Sequence, residues 1–240
     1  MRVTLAQIAP KLNRSNLDDI LEIVQQYKED SELIVFPELA LSGYMLQDKL
    51  FEDAWQEGEL HQLCDASYDV DIAVGAAMRD GKLFRNTALY FSQGKLYSQH
   101  IKVHLPNYGM FEEARYFEGG DRFESFTVHN KRIVMVICED LWHENVHDEL
   151  MQQNPDIIIA LVASPARGFG DDSLEIEQNW YSIIQKVAQE SQATLLFVNR
   201  VGFEDGLGFW GGSCVVSPQG ERVITLEKFE KQIEVVEVSL

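Results

Sequence analysis

Two runs, Val3-Thr4-Leu5-Ala6-Gln7-Ile8 and Leu33-Ile34-Val35-Phe36, decide the fold class. Both are short and apolar, and Pro37 stops the second. Between them Leu17, Ile20, Leu21, Val24 and Tyr27 recur at helical spacing, so the chain opens as strand, helix, strand, a βαβ unit. Further runs at 72–75, 133–137, 157–162 and 195–198 are rich in branched residues and bounded by polar segments, the pattern of central strands covered on both faces. A helix over 174–192 is predicted from Ile176, Trp180, Ile183, Ile184 and Val187 on one face. Two stretches read as β-hairpins. One is 86–91, turning at Gln93-Gly94-Lys95 into Leu96-Tyr97; the other is 213–216, turning at Pro218-Gln219-Gly220-Glu221 into 222–224. Hairpins combined with crossovers imply mixed sheets, and the strands are too many for one comfortable sheet. The expected architecture is therefore α/β, two stacked mixed sheets flanked by helices, in a single domain over residues 1–240.

The composition narrows the partners. The chain has 240 residues, 45% of them hydrophobic and 25% charged, and carries 20 basic against 39 acidic side chains, a net charge of −19. Such a charge repels nucleic acid and anionic lipid, so neither is expected as a partner. The apolar run 157–163 falls far short of the roughly 20 residues that span a bilayer, and no apolar signal segment precedes the first polar residues. Cys64, Cys138 and Cys214 are odd in number and far apart, which argues against a disulfide framework or a zinc site and for a reducing, cytoplasmic setting. Of the histidines, the pairs His100/His104 and His143/His147 have i,i+4 spacing without a third ligand or an HExxH pattern, so no metal is expected.

Three segments place a reactive side chain at the end of a buried-type run, where α/β sheets build their sites. Glu38 directly follows an apolar strand and Pro37. Lys102 ends the second arm of the first hairpin. Cys138 ends the five-residue apolar run 133–137 and is followed by Glu139, Asp140 and a helix start at Leu141-Trp142. A strand-to-helix turn of that kind exposes its first side chain as a nucleophile elbow does and leaves backbone N–H groups beside it.

Phe36-Pro37-Glu38 with Ser42-Gly43-Tyr44, Lys102 with Leu105-Pro106 and Phe111-Glu112-Glu113, and Cys138-Glu139-Asp140 occur in this order at spacings of 64 and 36 residues. Together they resemble the Glu-Lys-Cys signature of the nitrilase, or carbon-nitrogen hydrolase, superfamily. The resemblance covers nearly the whole chain and implies a four-layer αββα sandwich, in agreement with the two-sheet reading. It further implies that Cys138 attacks an amide carbonyl to form a thioester, that Glu38 takes the thiol proton and later activates water, and that Lys102 stabilises the oxyanion. Glu113 resembles an extra carboxylate that positions Lys102, and the backbone N–H of Glu139 becomes a second oxyanion donor.

Within that superfamily, residues 105–117 and Asn199-Arg200-Val201-Gly202-Phe203-Glu204-Asp205 leading into Gly211-Gly212-Ser213 are similar to the glutaminase domain of glutamine-dependent NAD synthetases. By that similarity Tyr44, Tyr108, Glu139 and Ser164 become substrate contacts, and Arg167 a partner for a substrate carboxylate. The resemblance implies hydrolysis of a small linear amide with release of ammonia, without a cofactor, in a homodimer or higher homo-oligomer. The alternative is a glutaminase-like subunit that mainly binds a separate synthetase and delivers ammonia to it. With no Gly-rich phosphate loop in the sequence, NAD synthesis by this chain alone is not expected. Gly211-Gly212 reads instead as a tight approach entering a strand.

Cys64 and Cys214 are assigned to packing. Alkylation of either is expected to leave activity largely intact, as read by mapping the modified peptide beside residual turnover; strong inactivation through Cys214 would overturn the assignment.

Overall fold

The computed structural model of the protein describes residues 1–171 and 173–239. In chain order the elements are β1 (Arg2–Gln7), α1 (Asn16–Tyr27), β2 (Leu33–Val35), α2 (Leu50–Asp53), α3 (His61–Ala66), β3 (Asp71–Asp80), β4 (Leu83–Ser92), β5 (Lys95–Ile101), α4 (Glu113–Tyr116), β6 (Ser125–Val128), β7 (Lys131–Ile137), α5 (Glu144–Gln153), β8 (Ile157–Val162), α6 (Glu175–Ser191), β9 (Thr194–Asn199), β10 (Val201–Glu204), β11 (Leu207–Trp210), β12 (Cys214–Val216), β13 (Arg222–Thr225) and β14 (Gln232–Glu237). They form two six-stranded mixed sheets, ordered β14-β1-β2-β3-β4-β5 and β13-β12-β9-β8-β7-β6, with β10 and β11 as a separate hairpin.

The layering follows from the period-two alternation of side chains along each strand. In β8, Ile157, Ile159 and Leu161 face the first sheet, where they meet Val3, Leu5, Leu33, Val35 and Ala73 across the central layer. The alternate residues Ile158, Ala160 and Val162 face outward onto Val146 and Leu150 of α5 and Trp180, Ile184 and Val187 of α6. The first sheet does the same in mirror sense, burying Ile34, Ile72 and Val74 under Leu17, Ile20 and Val24 of α1 and Leu63 of α3. Because both faces of the central strands are covered, these strands have no polar face alternating with an apolar one, which is why most of them read as nearly continuous apolar runs. The architecture is thus the expected αββα sandwich.

Two hairpins were not legible. The first pairs β3 with β4 through Gly81, with Asp80 opposite Leu83; its Ala76-Ala77-Met78 segment lacks the branched residues that mark a strand, and pairing in the sheet overrides that weak propensity. The second is β10–β11, closed by Asp205-Gly206, with Val201 opposite Trp210. Gly211 adopts φ +73°, and a Cβ there would lie 2.6–2.7 Å from Val201 and the Gln7 side chain, the close approach read from the glycine pair.

Gly75 sets the end of β2. The chain leaving β2 is laced to β3 by Phe36 N to Ala73 O (2.8 Å), Gly75 N to Pro37 O (3.2 Å) and Leu41 N to Gly75 O (3.0 Å). A Cβ on Gly75 would sit 2.3 Å from Leu39 N, 2.6 Å from Pro37 O and 2.7 Å from Glu38 Cα, all of them backbone atoms that cannot swing away. Gly75→Ala is expected to cost about 2 kcal/mol and lower the melting temperature by about 4–8 °C, measured by calorimetry. A melting curve unchanged by the substitution would show that this crossing has slack.

Candidate active site

Glu38, Lys102, Glu113 and Cys138 come from four different segments and meet at one end of the sandwich. Glu38 follows β2, Lys102 follows β5, Glu113 opens α4, and Cys138 follows β7. Lys102 Nζ is fully buried and donates to Glu38 Oε1 at 2.7 Å and to Glu113 Oε1 and Oε2 at 2.8 Å each. A buried ammonium is costly unless all its donors are met, and these two carboxylates meet them.

Each carboxylate is in turn fixed. Glu38 Oε1 also accepts Asn86 Nδ2 at 2.8 Å, and its Oε2 accepts the backbone N–H of Ala163, at the end of β8, at 2.8 Å. Glu113 Oε1 accepts the Tyr44 hydroxyl at 2.6 Å. Tyr44 is held by its own amide, which donates to Glu204 Oε1 at 2.7 Å; the Met45 amide donates to the same oxygen, and Glu204 Oε2 accepts Arg200 Nη1 at 2.8 Å.

Cys138 begins a short 3-10 turn over Cys138–Trp142 and has φ +42°, left-handed backbone that a non-glycine residue adopts only where its surroundings enforce it. This is the elbow geometry anticipated from the strand-to-helix transition. Burial pushes the thiol well above its usual range; Glu38 and Glu113 push the same way, while Lys102 and the Ala163 amide oppose them. Burial also works against the Lys102 charge, yet Glu113 and Glu38 outweigh it and hold the ammonium protonated well above the ordinary lysine range. Glu113 is raised by burial and by Glu38, against the pull of Lys102. The site therefore holds a thiol kept protonated, a buried cation and two carboxylates in contact with that cation, groups that acyl transfer can use.

The remaining candidates separate into two groups. Tyr108, half exposed, donates its hydroxyl to Glu139 Oε2 at 2.8 Å, and burial together with that carboxylate pushes the phenol up to about 12. Tyr108 and Arg167 line an open cleft of about 330 Å³ with Trp142, Gly168, Glu175, Ile176 and Asn179. The Arg167 guanidinium lies over the Phe111 ring at 5.4 Å, and its Nε is buried without a partner among the described residues. Tyr44 and Ser164, by contrast, are buried and already engaged: the Ser164 hydroxyl accepts the Trp180 indole N–H at 2.8 Å, and its amide donates to Asn199 Oδ1 at 2.9 Å. Sequence reading had not singled out Asn86, the Ala163 amide, Arg200 or Glu204. Asn86 carried a signal, an amide side chain starting a largely apolar hairpin arm, and Arg200 and Glu204 lie in the stretch 199–205 already quoted for its similarity; the Ala163 contribution is a backbone group and leaves no mark in the sequence. No group of three or more His, Cys, Asp or Glu among the described residues is arranged to hold a metal ion, and none of their helices is long and apolar enough to cross a membrane.

Comparison with known proteins places this geometry in context. The sequence matches the carbon-nitrogen hydrolase family over residues 2–240. It is 30% identical to the glutamine-dependent NAD(+) synthetase of Aquifex aeolicus over 249 aligned positions, covering 100% of this chain and 42% of that protein. The corresponding synthetase of Thermotoga maritima is also 30% identical, with 100% and 42% covered. The chain thus spans about two-fifths of the length of these curated relatives. Among solved structures, the glutamine-dependent NAD+ synthetase of Acinetobacter baumannii superposes with a TM-score of 0.83 at 28% identity, over 98% of this chain and 44% of that one. An amidase from Nesterenkonia, with acrylamide added to its active-site cysteine, superposes with a TM-score of 0.84 at 23% identity, over 100% and 93%.

Glu38→Gln removes a negative charge that opposes the thiolate, so the Cys138 thiol titrates at lower pH in the variant. Its alkylation by iodoacetamide is expected to be faster than wild type at neutral pH, with the rate–pH curve displaced toward acid, as read by mass spectrometry with Cys138→Ala as the blank. An unchanged rate–pH curve would show that Glu38 does not act on the sulfur, and a displacement toward alkali would show that it assists ionisation instead of opposing it.

Proposed function

Because the chain belongs to the carbon-nitrogen hydrolase family, we propose that it cleaves the C–N bond of a small linear amide through a Cys138 thioester and releases ammonia. The observation that carries this reading is the Lys102 ammonium, fixed between Glu38 and Glu113 beside a thiol at a strand-end elbow. In the first half-reaction the thiol proton passes to Glu38 as Sγ bonds to the carbonyl carbon. The oxygen takes up negative charge against Lys102 Nζ and the Glu139 backbone N–H, and the C–N bond breaks as Glu38 returns the proton to the leaving nitrogen. In the second, water loses a proton to Glu38 as its oxygen bonds to the acyl carbon, and the C–S bond then breaks as Glu38 returns that proton to the sulfur, releasing the carboxylic acid and restoring the thiol. Glu113 touches no reacting atom in this scheme; it holds Lys102 on station, and Tyr44 holds Glu113.

The cleft beside the elbow supports a polar acyl group. Arg167 offers a guanidinium to a substrate carboxylate, and the Tyr108–Glu139 pair offers an acceptor to a cationic group. Ser164 and Tyr44 act here through the residues they hold. A second reading, a glutaminase-like subunit supplying ammonia to a separate synthetase, is favoured by the relatives, each a glutamine-dependent NAD(+) synthetase more than twice as long as the matched region.

Ammonia release from glutamine, asparagine, dicarboxylate ω-amides and simple aliphatic amides, measured beside Cys138→Ala, tests both readings. Release from a carboxylate-bearing amide is expected, falling about 10³-fold or more in the variant, together with a mass increment of one acyl group on wild type after rapid quench. Arg167→Met is expected to raise KM for such an amide about tenfold while leaving aliphatic amides alone. Silence across the panel from folded protein would reject the stand-alone hydrolase.

A further inference from the structure

Asp140 is completely buried at the base of the elbow, and its carboxylate gathers donors from two separate segments. Oδ2 accepts the Ile137 amide at 3.1 Å and lies 3.0 Å from His100 Nε2. Oδ1 accepts the amides of Val103 at 3.1 Å and His104 at 2.9 Å. The first of these contacts is ordinary for an acidic residue in a helical first turn, which reaches back to the amide before it. The contacts with residues 103 and 104 are not local: they join the turn to a loop 36 and 37 positions earlier in the chain.

The consequence lies in which residues adjoin the donors. Ile137 immediately precedes Cys138, and Val103 immediately follows Lys102. One carboxylate therefore fixes the backbone on the nucleophile's side and on the cation's side, while His100, at the end of β5 and stacked on Phe123 with ring centroids 5.1 Å apart, holds the carboxylate itself. The left-handed Cys138 backbone needs such an anchor, since without one it relaxes and carries Sγ away.

We propose that Asp140, supported by His100, is the positioning residue that sets the relation of Cys138 Sγ to Lys102 Nζ. It touches no reacting atom. The role belongs to the hydrolysis proposed above, and it is tested by two readouts, only one of which needs a substrate.

Asp140→Asn keeps the shape but puts an NH2 group against backbone N–H donors. It is expected to lower kcat about 100-fold with KM held within about twofold, the signature of reacting groups displaced by a fraction of an ångström to an ångström. Alkylation of Cys138 by iodoacetamide is expected to slow about tenfold, as the sulfur loses its cation. Leu150→Ala, a packing change in the buried face of α5, serves as the stability control: it lowers the melting temperature at least as far but leaves kcat and alkylation within about twofold. Unchanged rates in Asp140→Asn, a rise in KM alone, or equal kinetic losses in Leu150→Ala would each overturn the proposal. If wild type hydrolyses no amide, the proposed function fails while the alkylation arm still decides the role of Asp140. If Asp140→Asn does not fold, His100→Leu decides: about fivefold slower alkylation supports the clamp, and an unchanged rate rejects it.

Discussion

The structure is organised around one ammonium group shut off from bulk solvent. Lys102 Nζ is buried where an isolated charge is untenable, and two carboxylates balance it with three contacts of 2.7–2.8 Å. A thiol buried beside those two carboxylates resists becoming an anion, despite the pull of Lys102. In the hydrolysis proposed above, that resistance would keep Cys138 protonated, and less open to adventitious oxidation, until a carbonyl is present to accept the sulfur. On that proposal ionisation and attack are coupled, with Glu38 as the place where the proton goes.

Neither sheet can build this site alone. Glu38 is delivered by β2 of the first sheet, Cys138 and the Ala163 amide by β7 and β8 of the second, and Lys102 by the strand end of β5. What holds those strand ends in common register is the central apolar layer, where Val35, Ile137 and Leu161 belong to one buried cluster only a few residues from Glu38, Cys138 and Ala163. Packing there therefore constrains the geometry of the site as well as stabilising the fold, because interiors packed to crystal-like density transmit small shifts instead of absorbing them.

The parts legible in the sequence were those that act through side chains with periodic or terminal placement. Continuous branched runs revealed the doubly covered strands, and Glu38, Lys102 and Cys138 stood out because each follows such a run or a hairpin arm. What stayed hidden acts through the backbone or through distant pairing. The Ala163 N–H that orients Glu38 is independent of side-chain identity, the alanine-rich end of β3 is a strand only because β4 pairs with it, and Glu204 reaches Tyr44 across 160 positions. Tyr44 and Ser164 illustrate the same limit from the other side. The resemblance implies them as substrate contacts, and the structure adds what the sequence does not reveal, that each also has a hydrogen-bond partner within the protein, Glu113 for Tyr44 and Trp180 for Ser164.

Loops that carry chemistry must be ordered without the hydrogen-bond ladder of a sheet, and any backbone group they bury has to be satisfied elsewhere. This protein meets that demand with buried carboxylates. Glu38 takes the amide of Ala163, Glu204 the amides of Tyr44 and Met45, and Asp140 those of Ile137, Val103 and His104. In each case an anion, the strongest kind of acceptor, joins two segments far apart in sequence. Each also needs a cationic or hydrogen-bonding companion to be tolerated: Lys102 for Glu38, Arg200 for Glu204, His100 for Asp140. The device gathered around Cys138, a buried carboxylate beside a buried cation, is thus the same one that holds the loops in place, and the proposed hydrolysis would draw on Glu38 as one such carboxylate.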